Sequence, residues 1–506
     1  MAHDEQRAKL IGFSEDGARS PPPVFVGRDE AISDILRAAD RVHERWLENP
    51  RKPQRHAMTR LIQGAPGAGK STLVERIQEL AGQGAAPSGT QHLALFLSAS
   101  ELSRPGDLEE RISAQMPGGL LATAAGAAVK LASSLLIGSS RPASGAADKA
   151  ERAVRQGQET RFPGTLLLMI DEAQQAAPHS PEANALRTLH QALHSLPILP
   201  MFAGLGHLQG HLKQEGIGIS RFAGPHCIHT IGALSPEESD GLLGGWLDHF
   251  EIGAKPRDLS RWQDAMRRDA QGWAMHTYDF LAPLARALAD SPRPRRLSAI
   301  GMDAVRQAAA ANRNRHYSER YADEDGVISD APDGVARLMA RLRETGPQSG
   351  AEIRQTIQDA FKEPTKEGAA AWRQTLMARG FLQPVSTRQG MGLPKYACPI
   401  PSLASYAAAF ELPLHLEASA GDAAAVEEVL FGDPSAISRI DAMGRTALHV
   451  AAEGRWGAVA DALIKAGADP QAKDAAGTTP AKAWPDHGWP RSRAAQRALA
   501  PLTSGR

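Results

Sequence analysis

An apolar strand that runs into a glycine loop and straight out into a helix leaves a chain few folds to choose from. Residues 58–63, Met-Thr-Arg-Leu-Ile-Gln, lead into Gly64-Ala65-Pro66-Gly67-Ala68-Gly69-Lys70-Ser71, and Thr72 and Leu73 then open a helical stretch. The three glycines let backbone N–H groups turn inward, and the helix N-terminus adds partial positive charge, so the loop forms an anion nest. Further apolar runs at 93–98, 166–170, 198–203 and 227–231 alternate with helical stretches, which predicts a parallel sheet with helices on its faces.

The rest of the chain needs more than this one core. At about 100–200 residues per domain, 506 residues imply three or four domains. Lysine plus arginine (57) equals aspartate plus glutamate (57), so no global field favours nucleic acid or membrane, and local patches must carry that argument. Two cysteines, Cys227 and Cys398, exclude a disulfide scaffold and a four-cysteine zinc site. Cys227 lies beside His226 and His229, but without a second cluster this does not make a metal site. The first twenty residues read as a polar, disordered arm rather than a signal peptide. The greasy stretch at 118–138 is mostly alanine and glycine, with Lys130 near its middle, and reads as a small-residue helix or surface insertion rather than a membrane span. A cytoplasmic protein is expected.

The glycine loop matches G-x-x-x-x-G-K-[ST], the P-loop pattern, in which Lys70 reaches the β- and γ-phosphates of a nucleotide and Ser71 ligates Mg2+. Gly64, Gly67 and Gly69 shape the cradle, and Thr72 continues it. A second element answers the first. The apolar run at 166–170 ends in Asp171-Glu172, which places Asp171 at the C-terminal edge of a buried strand, where it can join the magnesium shell. Glu172 is then placed to polarise an attacking water as general base. ATP and Mg2+ are the expected cofactors.

With its adjacent glutamate, this pair resembles the AAA+ and STAND branch of P-loop ATPases. Phe25-Val26-Gly27-Arg28-Asp29-Glu30 resembles the box that lies beside the adenine in origin-recognition-like and STAND ATPases, implying nucleotide roles for Val26, Gly27 and Arg28. Arg221, shortly before the fifth strand, resembles the arginine finger that completes a neighbouring subunit's site; as a surface residue it would cap a helix. Gly272-Trp273-Ala274-Met275-His276 resembles the turn of the helical lid, implying that Gly272 and His276 face the nucleotide. There are departures. The box lacks its final glutamate, and the fourth strand, Leu199-Pro200-Met201-Phe202-Ala203-Gly204, lacks the polar residue that orients water. Ala274 replaces the lid proline, and no second sensor arginine follows. These absences imply a slow or partner-stimulated ATPase.

Residues 332–410 resemble the winged helix that follows the lid in such ATPases, with a hairpin turning at Gly390 and Gly392. Ten basic and six acidic side chains give this module a modest positive footprint. The segment before it, 291–321, holds seven arginines against two acidic residues. Tyr317 and Tyr321 lie among these charges and could stack on bases; alternatively the arginines form an intramolecular clamp. A 33-residue period then appears, with Gly421 recurring as Gly454, Val426 as Val459, Asp441 as Asp474 and Gly444 as Gly477. The middle copy closely resembles an ankyrin repeat. Eleven acidic and six basic residues between 411 and 484 favour a protein partner over DNA.

The expected fold is thus an α/β P-loop NTPase core with helical lid, winged-helix module and ankyrin tail. The expected boundaries are 1–20 for the arm and 21–235 for the core, with an insertion at about 117–157. The lid follows at 236–331, the winged helix at 332–410 and the repeats at 411–506. The leading function is an ATP-hydrolysing regulatory switch that couples nucleotide state to a protein partner, homo-oligomeric, in a setting such as bacterial anti-phage defence. The competing reading is a DNA-associated ATPase of initiator or transposition-regulator type.

Overall fold

The computed structural model describes residues 2–16, 23–48, 59–100, 164–175, 198–206, 208, 212, 227–321, 331–385 and 395–484. The expected insertion, the 118–138 stretch, Arg221 and the hairpin turn at Gly390 and Gly392 lie outside them. The chain divides into two units, one built on residues 27–232 and the other on 1–26, 233–387 and 391–506.

The first of these units is the parallel sheet. Its strands are β1 (Arg60–Gln63), β2 (Leu93–Ser98), β3 (Leu166–Asp171), β4 (Ile198–Gly204) and β5 (Ile228–Thr230), in the order β2-β3-β4-β1-β5. Every pairing is parallel, with Leu97 opposite Ile170, Ile170 opposite Phe202, and Gln63 opposite Gly204. All residues of β1, β3 and β4 are buried, as strands covered on both faces require. Helices α2 (Asp29–Glu48) and α3 (Lys70–Gly82) turn Ile32, Ile35, Leu36, Leu73, Val74 and Ile77 inward.

One buried charge needs a partner inside this core. Arg60 on β1 is fully buried and donates to Asp34 of α2 at 2.7 Å, while His229 on β5 lies 3.2 Å from the same carboxylate. Burial alone would raise the Asp34 pKa, but the hydrogen bonds from His229 and Arg60 outweigh it and hold the pKa at about 2. Arg60 also donates to the Cys227 sulfur at 3.4 Å. His229 and Cys227 are therefore tied to an ion pair, and among the described residues no cluster of three or more His, Cys, Asp and Glu could hold a metal.

The other unit opens on a helix where an arm was expected. The expected disordered arm is a helix, α1 (Ala2–Asp16). Its apolar side chains are few but well used. Leu10 is fully buried, and Phe13 packs against Trp246, Phe250 and Tyr278 with ring centroids 5.2–5.7 Å apart. Gln6 donates to the Phe250 carbonyl at 2.7 Å. The partners are helices α4 (Pro236–His249), α5 (Pro256–Ala270), α6 (Ala274–Asp290) and α7 (Met302–Tyr321). Ser235 and Glu238 form a reciprocal capping box that starts α4.

The segment after α7 runs α8 (Pro332–Thr345), β6 (Gln348–Ser349), α9 (Gly350–Phe361), α10 (Lys366–Ala378), β7 (Gln383–Val385), β8 (Lys395–Ala397) and α11 (Pro401–Ala408). The strands form an antiparallel sheet with β8 in the centre. Helix pairs α12 (Pro413–Ala420) with α13 (Ala423–Gly432), and α14 (Ala447–Gly454) with α15 (Gly457–Lys465), then make two repeats, followed by the short α16 (Pro480–Ala483). Each repeat ties itself to the next through a histidine: His415 Nε2 bonds the Arg445 carbonyl at 2.9 Å, and His449 Nε2 the Thr478 carbonyl at 3.0 Å.

The stack docks on α7. Arg306 makes a bidentate ion pair with Asp269 at 2.6 and 2.9 Å, donates to the Gly454 carbonyl at 2.6 Å, and lies 3.9 Å above the Trp456 ring. Gln307 donates to the Gly421 carbonyl at 2.8 Å. A Cβ on Gly421 or Gly454 would stand 2.4 Å from Trp456, so these two recurring glycines make room for the indole. Tyr317 and Tyr321 are at most 1% exposed, so they are not base-stacking groups; they pack against Tyr406, Phe381 and Phe410. Of the two readings of this basic segment, Arg306 follows the clamp. Trp456→Ala should cost about 3–5 kcal/mol of the stability of this unit. Arg306→Ala should cost a similar amount, about 3–5 kcal/mol, because it strands a buried Asp269. Urea unfolding of full-length variants checks this, and losses below about 1 kcal/mol would contradict the clamp.

Candidate functional site

The glycine loop occupies the crevice beyond the C-terminal ends of β1 and β4. Gly64 N–H donates to the Gly204 carbonyl at 3.1 Å, which ties the loop to β4, and Ile231 N–H donates to the Gln63 carbonyl at 2.7 Å, which ties the end of β1 to the chain leaving β5. A Cβ on Gly64 would meet the Ile231 carbonyl oxygen at 2.7 Å, which excludes a side chain there. Gly67 and Gly69 have φ of 79° and 88°, the left-handed region that turns successive N–H groups to one side. Lys70 opens α3, and its ammonium donates to the Gly64 and Ala65 carbonyls at 3.1 and 3.2 Å, holding a cation over the loop.

Ser71 and Asp171 meet. The Ser71 hydroxyl donates to Asp171 Oδ2 at 2.7 Å, although β4 separates their parent strands. Asp171 is 7% exposed, and its other oxygen accepts the Glu172 N–H at 2.8 Å. A hydroxyl and a carboxylate at a P-loop end form a hard-oxygen pair of the kind Mg2+ prefers. Glu172 is exposed and has φ of 52°. Among the described residues six non-glycines have positive φ. Gln271, Lys362 and Arg455 cap helices, and Glu251 follows one; the remaining two are Glu172 and Arg28. Arg28 directly precedes α2 and Glu172 directly precedes the short helical turn Ala173–Gln175, so two residues singled out from sequence carry left-handed backbone at the start of a helical segment.

Sequence reading missed two residues here. Gln174 lies in the short helical turn after Glu172, and its Oε1 accepts the Leu205 N–H at 3.1 Å. A Cβ on Gly204 would stand 2.3 Å from that oxygen, so the glycine ending β4 admits the glutamine. The signal was present: a glycine closing an otherwise apolar strand is a place where something else comes close. Glu75 follows Ser71 by one helical turn. Burial, with the negative charge of Asp171, pushes its carboxyl above the usual range.

The remaining expected residues are more scattered. Thr72 is half-buried in α3, and Gly27 and Arg28 precede α2, with Arg28 donating to the Gly232 carbonyl. The unit boundary falls between Val26 and Gly27. Gly272 has φ of 71°, and its carbonyl accepts from Leu234 N–H at 2.7 Å. His276 is 2% exposed, with Nδ1 3.1 Å from Asp279 and Nε2 2.7 Å from the Tyr317 hydroxyl. Burial pushes its pKa down to about 4 against the opposing pull of Asp279. Both ring nitrogens are engaged and the ring is neutral near pH 7, so His276 does not offer a nucleotide phosphate a cation. Arg221 lies outside the described residues.

Lys70→Ala removes the loop's cation and should weaken nucleoside triphosphate binding by at least about tenfold, the worth of one to two charge-assisted hydrogen bonds. Calorimetry reads this directly, and an unchanged affinity would reject the loop as the phosphate cradle.

Comparison with known proteins agrees with this geometry. Residues 58–197 match the NACHT domain family, and residues 443–475 match the ankyrin repeat. No curated protein sequence matches the chain. Among solved structures, the chain is similar to the ORC2 protein of Aeropyrum pernix in its ADPNP-ADP complexes, at 15% identity and a TM-score of 0.46, covering 78% of this chain and 96% of that one. It is also similar to a Walker-type ATPase of Pyrococcus abyssi, at 16% identity and a TM-score of 0.43, covering 76% and 96%. The RuvB Holliday junction branch migration motor of Thermotoga maritima gives 14% identity and a TM-score of 0.34, covering 75% and 94%. These three likenesses are too loose to transfer a function. The chain carries a NACHT-type P-loop NTPase domain over residues 58–197 and an ankyrin repeat near its C-terminal end.

Proposed function

We propose that the protein is an ATP-hydrolysing regulatory switch whose nucleotide state governs capture of a protein partner by the ankyrin repeats. The observation that carries the reading is the Ser71–Asp171 hydrogen bond beside Lys70. Gly64, Gly67, Gly69, Lys70 and Thr72 hold the phosphates, with Val26, Gly27 and Arg28 beside the base. Ser71 and Asp171 hold Mg2+, which when bound offsets charge on the phosphate oxygens. Glu172 takes the proton of the attacking water. Gln174, fixed by Leu205 N–H through its carbonyl oxygen, has its amide N–H groups left to orient that water at the end of β4, where the strand itself lacks a polar residue. Gly272 forms the lid turn. Arg221 completes the site of a neighbouring copy, which makes the active species a homo-oligomer. Anti-phage defence is the setting that such an architecture suits.

A second reading has one observation in its favour. The order helix, strand, helix, helix, strand, strand across 332–408 is that of a winged helix, a fold that can grip duplex DNA. Against it, Arg306 of α7 is engaged within the protein by Asp269 and the Gly454 carbonyl. A DNA role would show as affinity that falls steeply with salt.

Glu172→Gln should keep ATP bound while lowering turnover by about 10²–10⁴-fold, the usual worth of a positioned general base. Gln174→Ala should lower kcat with little change in KM, and Gln174→Asn should recover part of it. Parental turnover in both Glu172→Gln and Gln174→Ala would remove the hydrolytic mechanism. If Arg221 acts across subunits, mixing Arg221→Ala with Lys70→Ala protein should restore some hydrolysis; no recovery in mixtures that co-assemble would leave each copy working alone.

A further inference from the structure

The lid, the β8 module and the ankyrin stack meet around a cleft of about 110 Å3. This is well below the roughly 300–1,000 Å3 of drug-sized sites. Arg268 of α5, Arg313 and Asn314 of α7, Ser402 of α11 and Ser419 of α12 are among the residues that line it. Two carboxylates also reach the wall, and both are satisfied. Asp269 is held by Arg306 through both oxygens, and Glu453 gives one oxygen to Arg343 at 2.9 Å and the other to Arg445 at 2.8 Å. Arg445 is itself paired with Asp441 at 2.7 Å.

Arg268 and Arg313 have no such partner. Their recorded hydrogen bonds are to backbone carbonyls, Arg268 to Asp264 at 3.3 Å and Arg313 to Asp269 at 2.7 Å. Neither has a carboxylate within 4 Å among the described residues. Burial, then repulsion from Arg306 and Arg455, outweighs the pull of Asp269 and Asp264 and pushes the Arg268 pKa down to about 10. Of the neutral groups beside them, Ser402 is bonded to the Tyr317 hydroxyl at 2.7 Å and Ser419 donates to the Leu416 carbonyl at 2.7 Å, while the Asn314 amide donates to Ser419 at 3.5 Å and keeps a second N–H.

We propose that this cleft is a site for a small phosphate dianion, either free inorganic phosphate or the phosphate of a monoester, bound by the Arg268 and Arg313 guanidinium groups with the Asn314 amide as a neutral partner. Guanidinium forks match tetrahedral oxyanions, and two of them beside the Asn314 amide suit a phosphate better than a single carboxylate. Because the wall comes from α5, α7, α11 and α12, the bound anion ties the ankyrin stack to the lid. The Ser402–Tyr317–His276–Asp279 chain of hydrogen bonds links the cleft to α6. The proposal is independent of hydrolysis at the P-loop.

The test uses full-length Lys70→Ala protein, so that the P-loop does not compete for phosphate. Thermal unfolding followed by tryptophan fluorescence is recorded against inorganic phosphate, glycerol phosphate and sodium chloride at matched ionic strength. A saturable rise in the midpoint with inorganic phosphate identifies a free anion, and one confined to glycerol phosphate identifies a monoester. Adding Arg268→Gln and Arg313→Gln should weaken that response by about tenfold or more. If the combined variant does not fold, Ser419→Asp, which puts a negative charge in the cleft wall, should abolish the response in its place. Equal midpoints in phosphate and chloride, or a response that survives these substitutions, would overturn the site.

Discussion

Ser71 and Asp171 can touch only because three parallel strands keep step. β1 ends opposite the end of β4, and β3 runs in register along the other edge of β4. Sliding β3 by one residue would turn its side chains to the opposite face and carry the carboxylate away from the hydroxyl. The continuous apolar run of β3 and β4 holds that register, since any slip in a core buried on both faces would cost packing on both sides. The features that make the crevice chemical are fastened to this arrangement. Gly64 hangs from Gly204, Gln174 presses into the space beside it, and Glu172 is bent into the left-handed region by the turn that follows.

The second unit solves a different problem. Two ankyrin helix pairs and a short third helix make a stack with few repeats to bury its face, and α7 supplies the missing neighbour. Ala310 joins the repeat core, while Arg306 is desolvated between Asp269, Gly454 and Trp456. A helix with several arginines would ordinarily suggest a polyanion on its outer face. Here the charge is partly spent inside the protein, and what is left over gathers in the small cleft beside it.

Much of this was legible from residues alone. The cradle, the acidic strand end and the repeat period are local patterns, and each fixes its own geometry through a glycine, a buried strand or a recurring packing position. Contacts between segments distant in sequence were less legible. The first helix carries too few apolar side chains to announce itself; it is ordered because Leu10 and Phe13 find an aromatic cluster more than 230 residues away in sequence. Tyr317 and Tyr321 looked like stacking groups because their sequence neighbours are charged, whereas their spatial neighbours are aromatic. His276 was singled out by its resemblance to a lid residue, but Asp279 and Tyr317 claim its two nitrogens, and periodicity does not report that. Gln174 belongs to the same class: only the space at Gly204 gives it meaning.

Ser71 and Asp171 are proposed to act as one unit in holding the metal-bound nucleotide. A double-mutant cycle on Mg2+-dependent ATP affinity, with Ser71→Ala, Asp171→Asn and the pair, measures that coupling. Residues sharing one bonded network are expected to couple by about 0.5–3 kcal/mol, so the double variant should lose little more than the weaker single variant. Losses that add to within about 0.5 kcal/mol would show two independent residues and contradict the site as described.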